Sequence, residues 1–166
     1  MINSLLIILF GLGILVIIVL SINYYYFRST IKSLRKDLDK VNWKNAKPLE
    51  YMKRSFDFVS NHFSKGEHTW MFKPWRNIFY TNVWKRKEAI PCHISTILFF
   101  QCLLFRFGRL FSKNLKLILT QGFKRGIGIH FYGRVFHNRK WIDVDVWAEK
   151  RGVAFGKNIH NSKLKL

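Results

Sequence analysis

Cys92, His130 and a carboxylate at Asp143 or Asp145 follow one another in chain order, and these are the residue types of a thiol nucleophile, its base and an orienting acid. Cys92 follows Pro91 and opens a largely apolar run that stops at Gly108. Proline suits the entrance of a helix and glycine its exit, so the run predicts one buried helix of about four turns. A cysteine at such a helix start faces unpaired N–H groups and the positive end of the helix dipole, both of which favour the thiolate. His130 would take the thiol proton, the carboxylate would fix its tautomer, and N–H groups at the helix start, including that of Cys92, would hold a developing oxyanion.

These residues need elements to position them. Ile129 to Phe136 and Lys140 to Trp147 alternate as strands, with His137 and Asn138 as the turn between them. That turn sets Phe136 opposite Arg139 and His130 opposite Asp145, with Cβ atoms about 5 Å apart. Asp143 shares the face, so either aspartate can partner His130. His93 is expected to point away from Cys92, because neighbours along a helix do not face each other. A metal site built on His130, His137 and an aspartate is disfavoured, since His137 sits in the turn and no fourth ligand is evident.

The pattern resembles the transglutaminase-like cysteine hydrolases of the papain-type thiol fold. The residues that carry the resemblance are Cys92 with Gly108 closing its helix, His130, and Trp141-Ile142-Asp143-Val144-Asp145. The resemblance covers roughly residues 84–147. It implies a Cys92–His130–Asp145 triad, with Asp145 as the acidic member because three residues separate it from Trp141. Pro91 stands where the family commonly has glycine, and Tyr132 where it commonly has tryptophan. The implied chemistry is acyl transfer from an amide through a thioester, ending on water (peptidase or amidase) or on an amine (transglutaminase), with no cofactor.

Ahead of this region, Leu5 to Ile22 is uninterrupted by charge and is followed by Tyr24, Tyr25, Tyr26 and Phe27. Its length and aromatic border match a bilayer core and its interface. A cleaved signal peptide would show a basic start and a small-residue cleavage site, and neither is present. Arg28, Lys32, Arg35, Lys36 and Lys40 follow the apolar run and no Lys or Arg precedes it, which by the positive-inside rule places the following domain in the cytoplasm. The expected organisation is a transmembrane anchor at 1–27, a basic juxtamembrane linker at 28–47 and a transglutaminase-like domain at 48–166. The fold class is α+β, with the Cys92 helix packed on an antiparallel sheet.

Leu49, Met52, Phe56, Val59 and Phe63 recur at helical spacing, and Leu115 to Thr120 reads as a strand. Trp70 to Trp84 interleaves aromatics with cations, a mixture that packs a helix more often than it stacks nucleic-acid bases. Gly66 and the basic Gly122–Gly128 stretch read as turns. Cys102 lies about 15 Å along the same helix from Cys92, too far for a disulfide, and reads as a core residue. The tail from Glu149 reads as a loop and frayed terminus without chemistry.

A formal charge of +20 across 166 residues implies attraction to something anionic. The expected partners are a peptide or amide substrate of anionic character and the membrane, with nucleic acid less favoured. The competing class is a non-catalytic, membrane-anchored basic protein that binds nucleic acid or anionic lipid with strong salt dependence.

Overall fold

The computed structural model describes residues 2–41, 43, 45–63, 82–86, 90–121 and 129–159. The aromatic and basic segment before Asn82, the turn at Gly66, the Gly122–Gly128 stretch and the tail beyond Ile159 lie outside the described residues. The architecture is α+β.

Helix α1 runs unbroken from Ile2 to Leu38. Its N-terminal part is long and apolar enough to cross a membrane, and Leu9, Phe10, Leu15 and Leu20 stand exposed along it. The same helix then enters the core. Thr30, Leu34 and Leu38, one turn apart, are buried, so the segment expected as a linker is folded into the unit as far as Leu38. The short helix α3 (Val83–Arg86) locks it there. Asn82 donates to Ser29 O, Ser29 Oγ and Ser33 Oγ, and Trp84 Nε1 donates to Asp37 Oδ2 at 2.9 Å.

Helix α2 (Pro48–His62) starts on a proline whose missing N–H would have had no helical partner, and it buries Met52, Phe56 and Val59. Helix α4 (Cys92–Phe107) spans the interval expected from Pro91 and Gly108. Gly108 adopts φ 81° at the C-cap, where its N–H closes on Leu104 O at 2.9 Å. Leu98, Phe99, Cys102 and Leu103 are buried between α1, α2 and the sheet. Each large apolar side chain hidden this way contributes roughly 1.5–3 kcal/mol relative to exposure.

A 3-10 turn at Arg109–Asn114 leads into the antiparallel sheet β1 (Leu115–Gln121), β2 (Ile129–His137) and β3 (Lys140–Val144), with β2 in the centre. Gly133 on β2 lies directly against α4. A Cβ built there would stand 2.8 Å from Phe100 Cζ and 2.9 Å from Thr96 Cγ2, so glycine is what lets the helix seat.

The β2–β3 turn differs from the expected one. Asn138 and Arg139 form it, at φ 49° and 62°, and His137 pairs with Lys140. Two consecutive left-handed residues make the tight hairpin turn whose twist suits the strands. The register moves by two residues, which preserves the face of every side chain. His130 and Asp145 are therefore diagonal rather than directly opposed, and Asp145 lies one residue past the end of β3.

The tail is structured through Ile159. Gly156 bridges Asp143 beside β3, its N–H bonding Asp143 O at 3.0 Å, and Ala148, Val153 and Ile159 form a small second cluster with Trp147. Phe155 stacks edge-on against Phe56, and Lys150 Nζ donates to Phe63 O, so the tail is tied back to α2.

Candidate active site

Cys92 is the first residue of α4, with Pro91 as N-cap. The first intrahelical bond of this end runs from the Ser95 N–H to Pro91 O at 3.1 Å, so by position the N–H groups of Cys92, His93 and Ile94 have no helical acceptor. The hydroxyls of Ser95 and Thr96 both donate to the Cys92 carbonyl, at 2.8 and 2.9 Å, and hold the residue in place. From the sheet, the Phe131 N–H points at Cys92 Sγ across 3.4 Å.

His130 sits on β2 immediately before Phe131, whose N–H reaches the sulfur, and its ring is near enough to the Cys92 thiol for each to shift the other's titration. Its Nε2 lies 2.8 Å from Asp145 Oδ2, which leaves Nδ1 as the ring nitrogen for the sulfur. His130 is 1% exposed and Asp145 0%. The buried carboxylate takes two further donors from the tail: the Ile159 N–H on Oδ2 at 3.0 Å and the Ala148 N–H on Oδ1 at 3.2 Å. Trp147 covers the imidazole with ring centres 5.3 Å apart.

The electrostatics follow from these contacts. Burial pushes the Cys92 thiol upward, but hydrogen bonds from His130, His93 and the Phe131 N–H outweigh it and bring the group from 9.0 down to about 6. Burial pushes His130 down, and its bonds to Asp145 and Cys92 outweigh that, carrying it from 6.5 to about 9. Between those two values the pair is a thiolate facing an imidazolium. Cys102, on the same helix, shows what the sulfur would do without partners. Burial alone drives its thiol far above the ordinary range.

The two aspartates are separated by their partners. Asp143 receives Arg134 Nε on Oδ1 and Asn158 Nδ2 on Oδ2, both at 2.6 Å, and so braces the strand and the tail. Asp145 takes the histidine. The structure thus brings Cys92, His130 and Asp145 together and leaves Asp143 outside the set.

His93 packs its ring edge-on against Phe131, with centres 5.6 Å apart, and is close enough to Cys92 to help lower its thiol, which its expected orientation did not suggest. At the first turn no preceding turn of helix separates neighbouring side chains, and both lean toward the free N-terminal end. The Ile159 and Ala148 N–H groups are backbone donors that no residue type announces. The Ser95-Thr96 pair did carry a signal, since hydroxyls three and four residues after a helix-start residue reach its carbonyl. Among the described residues no group of three or more His, Cys, Asp or Glu side chains is placed to hold a metal ion.

No protein-family model matches the chain, and no curated protein and no solved structure matches it.

Proposed function

We propose that the chain is a membrane-anchored, cysteine-dependent acyl-transfer enzyme of the transglutaminase-like kind, acting on an amide. The observation that carries this reading is a thiol lowered to about 6 beside a buried histidine raised to about 9, with a buried carboxylate behind it. An ion pair of this kind, hidden from water at the start of a helix, costs desolvation that a purely structural contact would not require.

The reaction follows from the roles. The Cys92 thiolate attacks the amide carbonyl carbon, forming the C–S bond while the carbonyl π electrons move to oxygen. The N–H groups at the α4 start face the place where that oxyanion develops. The oxyanion collapses, the C–N bond breaks, and the His130 imidazolium gives its proton to the departing amine. Water or a second amine then adds to the thioester as neutral His130 takes its proton, and the C–S bond breaks to return the thiolate. Asp145 keeps the ring oriented and supports its charge throughout.

The exposed leucines of α1 and the basic residues that follow its apolar run support a single-pass anchor with the domain on the cytoplasmic side. Protease treatment of sealed vesicles checks the side: digestion of the domain from outside a right-side-out vesicle overturns the orientation.

The chemistry is tested with a small peptide amide mimic bearing a vinyl sulfone, applied to the full chain at neutral pH. The mass increase should map to Cys92, vanish in Cys92→Ala and form at least tenfold more slowly in His130→Ala. Equal labelling of Cys92 in wild type and His130→Ala would overturn the triad.

A further inference from the structure

Helices α1 and α4 run side by side in the same direction. Ile94 and Leu98, near the start of α4, line a groove with Asn23, Tyr24 and Phe27 of α1, whereas at the other end Arg35 lies over Phe105, 5.4 Å from its ring centre. Leu38 and Phe105 likewise border one cleft. At 1.5 Å per residue, Cys92 is about 3 Å further toward the N-terminal end than Ile94. The nucleophile therefore stands level with the last turn of the apolar run of α1 and the aromatic residues that border it, which is the level of the bilayer surface.

The groove at that level has a volume of about 290 Å³ and is apolar almost throughout. Leu20, exposed one turn before Asn23 and Tyr24 on the same face of α1, continues its apolar wall toward the lipid tails. Arg28 and Lys32, exposed on the next turn, add cations where headgroups would lie.

Resting on the acyl-transfer reading, we propose that the site works at the membrane surface on a bilayer-embedded amphiphile. Its amide lies at headgroup level beside Cys92, and its alkyl chain runs back among the lipid tails along the exposed apolar face of α1. The bilayer delivers this substrate along its own plane, and an anionic leaflet draws the domain down onto it through the basic residues.

The experiment uses the full chain in phosphatidylcholine–phosphatidylglycerol vesicles and two chloroacetamides, one with a hexadecyl chain and one short and water-soluble. The quantity read is the rate ratio of long to short probe at Cys92, against the same ratio in a Cys92→Ala, Arg109→Cys chain. Arg109 is exposed just past the far end of α4, about 25 Å along the axis from Cys92, and the comparison cancels the partitioning of the probe and the reactivity of the thiol. A ratio at Cys92 at least tenfold above that of the Arg109→Cys chain supports the inference. Equal ratios, with Cys92 still labelled, overturn the interfacial substrate and leave the acyl-transfer reading standing. Failure of both probes to label Cys92 overturns both.

Discussion

His130 Nε2 lies 2.8 Å from Asp145 Oδ2, and that same oxygen takes the Ile159 N–H at 3.0 Å. The carboxylate is thus held from two sides, by the ring it orients and by the returning tail. Replacing it with the isosteric amide, Asp145→Asn, removes the charge that offsets the burial of His130. The histidine should then fall from about 9 toward or below its ordinary 6.5, and Cys92 should revert to a neutral thiol at pH 7. Alkylation of Cys92 at pH 7 should slow at least tenfold with the far-ultraviolet spectrum unchanged. An unaltered rate would remove Asp145 from the mechanism.

The pH profile has two limbs with opposite signs. Cys92 is lowered, so thiolate and labelling appear as pH rises through about 6. His130 is raised, so the imidazolium that protonates a leaving amine is lost as pH rises through about 9, and turnover of an amide should decline there. In His130→Ala, burial acts on the thiol with less opposition, and the labelling midpoint should move up by two units or more. Cys102 should stay unlabelled across the whole range unless the protein unfolds, because burial holds its thiol protonated. Mass spectrometry of both cysteines in one titration reads all of this.

Gly133 is the contact through which the sheet sets the distance between nucleophile and base. Thr96, whose methyl would meet an added Cβ at 2.9 Å, also bonds the Cys92 carbonyl. Gly133→Ala must therefore move the first turns of α4 or turn the Phe100 ring aside. The expected cost is about 1–3 kcal/mol in denaturant unfolding, as for other over-packed cores. Slower labelling of Cys92 should accompany it. A stable variant with normal labelling would show that the ring moves freely and the helix does not.

Much of this was legible in the residues. Pro91 and Gly108 bracket α4 because each end has a backbone requirement only those residues meet cheaply, and the alternation of β2 and β3 follows from one buried face. The Cys92–His130–Asp145 set could be drawn up because a two-residue change of register does not alter which face a side chain takes. What could not be read was tertiary. Asn138-Arg139 replaced His137-Asn138 as the turn because strand twist selects two left-handed residues, and Arg139 is a poor advertisement for that conformation. The basic stretch after α1's apolar run carries Leu34 and Leu38, but what docks that stretch is Asn82 on Ser33 and Trp84 on Asp37, each more than 40 residues distant. The tail looked empty because it contributes backbone N–H groups, which every residue has.

Arg139 offers a stability test free of the active site. A non-glycine residue in the left-handed region costs about 1–2 kcal/mol, whereas glycine there costs roughly 0.4–1 kcal/mol through the freedom it gives the unfolded chain. The first effect is larger, so Arg139→Gly should stabilise the protein by about 0.5–1 kcal/mol with Cys92 labelling unchanged. Thermal unfolding of the pair of proteins decides it, and a lower midpoint would mean that the Arg139 side chain contributes more than its backbone costs.

Under the proposed anchoring, the docking of α1 sets the height of Cys92 above a bilayer. Asn82 makes three of its contacts, to Ser29 O, Ser29 Oγ and Ser33 Oγ, and Val83 N–H adds Thr30 Oγ1 at 3.1 Å. Leu34 is wholly buried and anchors the helix by packing, so removing the polar contacts should loosen α1 without unfolding the rest. Asn82→Ala leaves Ser29 and Ser33 half-wet, able to bond water, so the expected cost is only about 1–2 kcal/mol. Hydrogen exchange should rise severalfold at the amides of residues 29–38 while those of α4 and β2 keep their protection. Adding Trp84→Phe, which keeps the ring but drops its N–H to Asp37, should extend the loosening to the last turn of α1. If exchange rises equally in α4 and β2, then α1 is not a separately docked element but part of one cooperative unit, and the active site could not shift in height without the whole domain opening.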